Sequence, residues 1–504
     1  MSEVPPDPRS TAALPDSPAA EAPPEAAAEV GSLLALKRAR IERAGRKAGR
    51  PLFQIGCVAL AAATGYLLYA AKGTDPSQLA VGSIILVLAA VPALLWTKRA
   101  RYGLPLFEAF MLPGINTYAV PLLAGHQALQ LYDSGTILTA AVAVIVFQLV
   151  AIAIFYGVPT KPKRGRVWRT EIVSGGISKV LGYGMLVTTA YTFIVQFTDW
   201  IPTNLVAEAR AACYGIGIIA TFVQCRRWGQ GDLPYHERGL FLTQLIIQVV
   251  FSWVALFLVQ GVSILLLGLI GYVSGSKKLP VVALVLGLIT IGVLFNGKAT
   301  MRAKYWDAHA PAPTLLEVPG FFSEWFADGL SVGKQEEGAA KSAGVLDRTS
   351  LIQMMCLVVS NTPEHKPYMM GNTYADIPGQ FVPRLFWAGK PLGLISTYKL
   401  SIYYDLQTQE ETAGTTIGFG MLPEAYANFG FVGMGLLGVF LGLLFNKSSN
   451  WCAESPIFSY PGLFTVVLMA WTFQTEAPLS AWLASMLQSC EMVLGIPWVL
   501  KYFL

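Results

Sequence analysis

The chain has 504 residues, of which 54% are hydrophobic and only 13% charged, against roughly 25% charged in an average soluble domain. That balance excludes a soluble globular protein. The formal net charge of +5 is too small and too clustered for a nucleic-acid-binding surface, and the clusters read instead as orientation signals for membrane helices.

Residues 1–36 are rich in proline, alanine and acids, with too few large apolar groups to build a core, so the sequence predicts a disordered tail. No basic-then-apolar segment with a cleavage site opens the chain, and the first span is expected to insert uncleaved. Residues 37–50 form a basic juxtamembrane segment. A helix needs about 20 residues to cross a bilayer, and runs of that kind lie at Pro51–Ala71, Leu79–Trp96, Leu104–Ala124, Ile137–Tyr156, Ile177–Phe197 and Leu205–Gln224. Basic clusters precede the first run and follow the second, fourth and sixth. The positive-inside rule places all of them in the cytoplasm.

The stretch 240–275 is too long for one ordinary helix and short for two. A single crossing would put the stretch from about 296 to 420 in the cytoplasm and leave Lys277 and Lys278 outside, and two crossings are preferred. Two crossings with a turn near Gln260 and Gly261 leave Lys277 and Lys278 cytoplasmic, and Leu279–Phe295 then carries the chain out. Further apolar runs at Phe431–Phe445, Ile457–Phe473 and Leu479–Leu500 bring the expected total to about twelve. The organisation predicted is an all-α integral membrane protein with an N-terminal bundle (51–296), a large extracytoplasmic loop containing short helices (297–420) and a C-terminal bundle (421–504). Both termini are then cytoplasmic. The six cysteines (57, 213, 225, 356, 452 and 490) have no paired spacing, so no disulfide or metal framework is expected.

The polar loop carries the candidate chemistry. At its start Lys298, Arg302 and either Tyr305 or Trp306 recur at helical spacing on one face, fit either for lipid phosphate or for anchoring at headgroup level. Leu346–Val359 reads as a short amphipathic helix on or in the bilayer, with Arg348 as an anion ligand or as a snorkelling cation partnered by Asp347. Between Thr373 and Pro391, Pro383 suits a first helical position and Gly389 the residue after a helix end. Arg384 then sits at the positive end of a single turn, where a cation is disfavoured unless an anion such as phosphate joins it. Pro423 suits a helix start, which puts Glu424 in a first turn that favours a carboxylate on structural grounds alone. Glu424 and Asn428 are four apart, on one face, where they could also bind sugar hydroxyls or accept a proton.

The sequence holds no DxD pair, P-loop or HExxH, and its four histidines (126, 236, 309 and 365) lack ligand spacing. No metal and no cofactor is expected. In the order Lys298, Arg302, Tyr305-Trp306, Arg348, Gly371–Tyr374, Pro383-Arg384-x-x-Trp387-x-x-Lys390-Pro391, then Glu424-x-Tyr426-x-Asn428-Phe429-Gly430, the chain resembles the Wzy-type O-antigen and exopolysaccharide repeat-unit polymerases of bacterial membranes. The resemblance covers about Phe295 to Leu444, and the earlier spans only in general layout; Ala388-Gly389 stand where the pattern has Pro-Asp or similar.

What the resemblance implies is a GT-C-like, inverting, metal-independent glycosyltransferase of the bacterial inner membrane. Its substrates would be oligosaccharide units on polyprenyl pyrophosphate, as donor and as acceptor, with membrane lipid, a chain-length regulator and a flippase as further partners. Pyrophosphate is a good leaving group, so such a site needs cations for its growing charge and a base for the acceptor hydroxyl. Arg384, Arg348, Lys390, Arg302 and Lys298 are the expected cations, Tyr374 and Asn428 further substrate contacts, and Glu424 the expected base, ahead of Asp376 and His365. An O-antigen ligase and a lipid or polysaccharide transporter are the alternatives.

Overall fold

The computed structural model describes residues 51–71, 74–99, 104–159, 177–198, 200, 206–256, 258–276, 278–305, 313–331, 350–380, 382, 387, 389–391, 393–413, 416–452, 455 and 459–495. The expected tail and basic segment (1–50), Trp306, Arg348 and Arg384 all lie outside them. Described regular structure is helical: α1 (Pro51–Ala70), α2 (Pro76–Arg99), α3 (Leu106–Leu123), α4 (Ser134–Gly157), α5 (Ile177–Phe197), α6 (Val206–Gln230), α7 (Tyr235–Val254), α8 (Leu258–Ser276), α9 (Val281–Tyr305), α10 (Val318–Ser331), α11 (Leu351–Asn361), α12 (Ile395–Tyr403), α13 (Met421–Cys452), α14 (Tyr460–Trp471) and α15 (Leu479–Cys490). Seven of these, α1 to α4, α8, α9 and α13, are long and apolar enough to cross a membrane. Their outer faces leave rows of large side chains uncovered, as on α9 at Val282, Leu286 and Ile289. An apolar exterior on that scale belongs in lipid.

Close backbone contact sets the direction of the central helices. On α13, Gly438 lies against Phe147 and Val150 of α4, Gly442 against Ala151 and Ile154, and Asn446 donates to the carbonyls of Phe155 (2.6 Å) and Val158 (3.1 Å). The numbers rise together, so α4 and α13 are parallel. A β-carbon at Gly438 or Gly442 would stand 2.9–3.0 Å from a carbonyl of α4, and small residues four apart permit such an approach in membranes. Because α4 runs toward the basic residues 161–169, the start of α13 lies at the opposite end of the bundle. Glu424 lies near that start.

The region 240–275 is two helices, α7 and α8. Gly268, Gly271 and Gly275 of α8 meet Thr221, Phe222 and Arg226 of α6, again with numbers rising together, so α6 and α8 are parallel and α7 returns between them. The end of α8 therefore lies beside Arg226 near the end of α6. The turn falls at Leu256 (φ 60°) and not at Gly261, because Gly261 is used to admit the Trp253 ring, whose Nε1 would stand 2.2 Å from a β-carbon there.

Other boundaries depart from expectation. The run at 104–124 is a helix interrupted by a wider π turn at Ile115–Ala119, next to Pro113, which has no N–H to donate. Helix α9 continues through Asn296 to Tyr305, because its last turns pack antiparallel against α10: Trp325 Nε1 donates to Leu294 O at 2.6 Å, Lys304 pairs with Glu324, and Tyr305 donates to the same carboxylate at 3.1 Å. Helix α11, expected on or in the bilayer, packs its apolar face into the protein. Leu351, Ile352, Met355, Cys356 and Val358 are buried in the protein core. The expected span 457–473 contains α14, of 12 residues, about 18 Å long and so shorter than the hydrocarbon layer. In the expected span 479–500, by contrast, α15 runs on into a π turn at Glu491–Gly495, and the residues after it lie outside the described ones.

The main core joins α3, α4, α11 and α13, with Phe107 stacked on Phe155 at 4.2 Å and Phe110 beside Phe445 at 5.0 Å. A smaller core of Trp253, Leu294, Met301, Phe321 and Trp325 ties α7 to α9 and α10. The candidate site lies where the loop 362–380 and the turn 472–478 meet the start of α13.

Candidate functional site

Helix α13 breaks within its third turn. Phe429 (φ −142°, ψ 15°) and Gly430 (φ 58°, ψ −139°) leave helical geometry, and the second of these conformations is open to glycine and strained for any other residue. The break leaves the Ala427 and Asn428 carbonyls without partners inside the helix. They accept instead from Met369 N (2.9 Å) and Met370 N (3.2 Å), so the loop is clasped to the helix by the bonds the break released.

Asn428 completes that clasp. Its Oδ1 accepts from Gly371 N at 2.9 Å, and its Nδ2 donates to Thr373 Oγ1 and to the Glu424 carbonyl, both at 2.8 Å. Glu424 and Asn428 do share a face, but segment 369–374 covers it, and both side chains are fully buried. The amide expected to bind sugar has both hydrogens engaged within the protein. Asn428→Asp would remove both donors and bury a second charge beside Glu424. We expect it to lower the unfolding temperature of the purified protein more than Asn428→Ala does, each lost bond to a buried acceptor costing about 1–3 kcal/mol. Wild-type stability of the Asp variant would show that the clasp is not what holds the loop.

Glu424 is held from the other side by α15. Its Oε2 accepts the backbone N–H of Leu479 at 2.5 Å, one of the first-turn donors that a helix leaves without internal partners. The Thr373 hydroxyl also faces the carboxylate. Its Oε1 has no hydrogen-bond partner among the described residues. A wholly enclosed carboxylate with one oxygen unpartnered is costly, and nothing in the packing of α13 calls for it.

Tyr374, half-buried above this carboxylate, stacks on Phe429 at 6.4 Å between ring centroids; burial first, and then the charge of Glu424, push its phenol above the ordinary range. Asp376 is ion-paired with Lys399 at 2.6 Å, and Lys399 also holds the carbonyl and side chain of Asn372. That pairing engages the Asp376 carboxylate within the protein. His365 is exposed, with Nδ1 3.3 Å from the Ser360 carbonyl.

The cations have divided roles. Lys390 is buried and donates to the Val382 carbonyl at 2.9 Å and the Gln380 carbonyl at 3.4 Å, with Glu491 close enough to feel its charge. It ties residues 380 and 382 to residue 390. Helical geometry just before that loop is the single turn Ile377–Gln380. On α9, Arg302 donates to the Leu256 carbonyl at 2.9 Å and so caps the end of α7, while Lys298 lies over the Phe295 ring at 5.7 Å.

Both cations also act on Glu476, a residue that sequence reasoning passed over. Glu476 sits in the short turn between α14 and α15; its carbonyl accepts from Gly420 N at 2.9 Å, and its side chain lies against Gly418. The side chain is exposed, yet enough protein surrounds it that loss of water raises its carboxyl above the ordinary range, an effect that Lys298 and Arg302 oppose. One turn, 475–479, thus carries both the carboxylate that faces α9 and the N–H that holds Glu424. The available signal was an acid isolated between two apolar runs. Below Met421 and Leu422 the bundle leaves a water-sized cavity lined by Phe110, Tyr118, Gln148 and Thr475, too small for a sugar.

Among the described residues no group of three or more His, Cys, Asp or Glu side chains is placed to hold a metal ion. No family model, curated protein or solved structure matches this chain.

Proposed function

We propose that the chain is a polysaccharide polymerase that joins polyprenyl-pyrophosphate-linked oligosaccharide units at the extracytoplasmic face of a bacterial inner membrane by metal-independent, inverting glycosyl transfer. The observation that carries this reading is Glu424: an enclosed carboxylate with one oxygen unpartnered among the described residues, at the end of the bundle opposite the C-terminal end of α4. The twelve-span, GT-C-like organisation with cytoplasmic termini belongs to the same reading.

In the reaction, segment 369–374 lifts at Met370 and Gly371, both at positive φ, and the acceptor sugar enters above Glu424. Glu424 takes the acceptor hydroxyl's proton as the oxygen attacks the donor's anomeric carbon from the face opposite the pyrophosphate. The bond to pyrophosphate breaks, and the leaving electron pair stays on its oxygen. Arg384 and Arg348, with Lys298 and Arg302, stabilise that charge; Lys390 holds the Arg384 loop in place. Tyr374 offers the incoming sugar an aromatic face.

The test supplies purified protein in lipid nanodiscs with lipid-linked repeat units. A ladder of elongated lipid-linked products is expected. Transfer to a different acceptor with no ladder would make it a ligase, and movement of the lipid across the bilayer without any new bond would make it a transporter. Arg384→Ala is expected to lose roughly tenfold or more of the elongation rate, the worth of one charge-assisted hydrogen bond realised at the transition state. Arg384→Lys should recover only part of it, since an ammonium cannot reproduce the two-point grip of a guanidinium on phosphate. A normal ladder from Arg384→Ala would remove Arg384 from the mechanism.

A further inference from the structure

Gln148 lies among the interior turns of α4, a helix long and apolar enough to cross the membrane, and its side chain is buried in the protein. Its Oε1 has no hydrogen-bond partner among the described residues, and its Nε2 donates to the Ile85 carbonyl at a long 3.4 Å. Inside a bilayer no bulk water makes good such a loss, and a leucine there would pack without that cost. An amide kept in this position needs a polar partner. Space for one lies beside it. Gln148 lines the cavity below Met421 and Leu422, together with Gly114 and Tyr118 of α3 and Thr475 of the turn before α15. Two features of α3 open that space. Gly114 has no side chain, where a β-carbon would stand 3.6 Å from Gln148 Nε2, and the π turn at Ile115–Ala119, which carries Tyr118, takes one extra residue into the helix. The cavity has about 30 Å³ of room for water. A single water needs roughly 10–15 Å³ and two to four polar partners, and Gln148, Tyr118 and Thr475 each carry a group that can serve.

We propose that this cavity is a water-binding site, in which one bound water donates to Gln148 Oε1 and bridges α4 to Tyr118 and Thr475. Thr475 belongs to the turn that grips the start of α13. Its carbonyl lies 3.0 Å from where a β-carbon on Gly420 would stand, Gly420 N donates to the neighbouring Glu476 carbonyl at 2.9 Å, and Leu479 N, at the end of the same turn, holds Glu424. The water therefore fastens that turn to α3 and α4. A buried water with several bonds to otherwise unsatisfied groups is a structural part that is costly to remove.

The measurements use the purified full-length protein in lipid nanodiscs and need no turnover. X-ray pulses split water into hydroxyl radicals on the spot, and these oxidise a methionine sulfur beside them. Met111 and Met421 line the cavity and are buried, so both should oxidise several-fold faster than Met355 and Met434, which are as deeply buried but not on its wall. Equal rates would mean a dry cavity and overturn the proposal. Gln148→Leu and Gly114→Ala should each abolish the excess and lower the unfolding temperature by a few degrees. A dry cavity gives the opposite sign, because leucine would remove an unpartnered amide, while alanine would fill a void and favour the helix. A raised unfolding temperature in either variant therefore overturns the proposal. Hydrogen exchange reads the bridge. The amides of 473–479 should exchange about tenfold faster in Gln148→Leu, the worth of one net hydrogen bond, and unchanged exchange there would overturn the link from the water to the turn.

Discussion

Glu424→Gln is expected to leave the protein folded and able to bind donor while turnover falls by about 10²–10⁴-fold, the usual worth of a general base. The structure lets this substitution separate the two roles of the side chain. Glutamine keeps a carbonyl oxygen that can accept the Leu479 N–H, the bond that Glu424 Oε2 makes at 2.5 Å, so the start of α15 stays fastened. It also removes a charge from a place with no exposure to solvent. Stability should consequently hold or rise, since an enclosed carboxylate with an unpartnered oxygen is destabilising and such strain is characteristic of functional sites. Glu424→Ala, by contrast, orphans the Leu479 N–H and should cost about 1–3 kcal/mol. The measurements are thermal unfolding, donor binding and elongation, each made separately on purified protein. Wild-type elongation by the Gln variant would sink the assignment of Glu424 as base. Joint loss of donor binding and elongation would point to substrate positioning instead.

The architecture was legible in sequence wherever one physical signal dominated. Long uncharged runs gave α2 and α4 nearly to their ends, expected at 79–96 and 137–156 and found at 76–99 and 134–157. Charge alternation gave two helices in 240–275. Glycine then misled, because it serves two purposes that sequence does not distinguish: Gly261 reads as a turn but allows close packing against Trp253, and the turn itself uses Leu256 at positive φ. Periodicity gave α11 as a short amphipathic helix but not its packing, since a helix buried inside a bundle has the same pattern as one lying on a bilayer. The run beginning at Phe431 was half of a longer helix, the other half hidden by the polar residues of the site.

At the site, spacing put Glu424 and Asn428 on one face and the structure keeps them there. What spacing could not carry is that the face is roofed by a loop nearly sixty residues earlier in the chain, since that contact depends on which carbonyls a helix break sets free. Glu476 was illegible for the same reason. Lys298 and Arg302, whose charges reach it, lie more than 170 residues away in sequence.

Gly430→Ala should be among the most damaging single-methyl changes in the protein. At φ 58° and ψ −139° an L-residue is strained by about 1–3 kcal/mol before any contact is counted, and the new β-carbon would stand 2.7 Å from the Tyr368 hydroxyl and 3.0 Å from the ring carbon that bears it. Tyr368 cannot yield inward, because it packs edge-on against Tyr426, itself buried. Relief must come from the loop moving out or the helix straightening, and either breaks the bonds from Met369 and Met370 to the Ala427 and Asn428 carbonyls. The cover over Glu424 then opens permanently. We expect a clearly lowered unfolding temperature, and loss of elongation even where the protein still inserts. Two companions identify the cause. Gly435→Ala, five residues along the same helix with nothing within 4 Å of its β-carbon, should be neutral or slightly stabilising, since alanine favours a helix by about 1 kcal/mol over glycine. Gly430→Ala combined with Tyr368→Phe removes the nearest clashing atom and leaves the backbone strain, so it should recover only part of the lost stability. Full recovery in the double variant would assign the effect to the clash alone, and a wild-type unfolding temperature in Gly430→Ala itself would mean that the break in α13 does not depend on glycine.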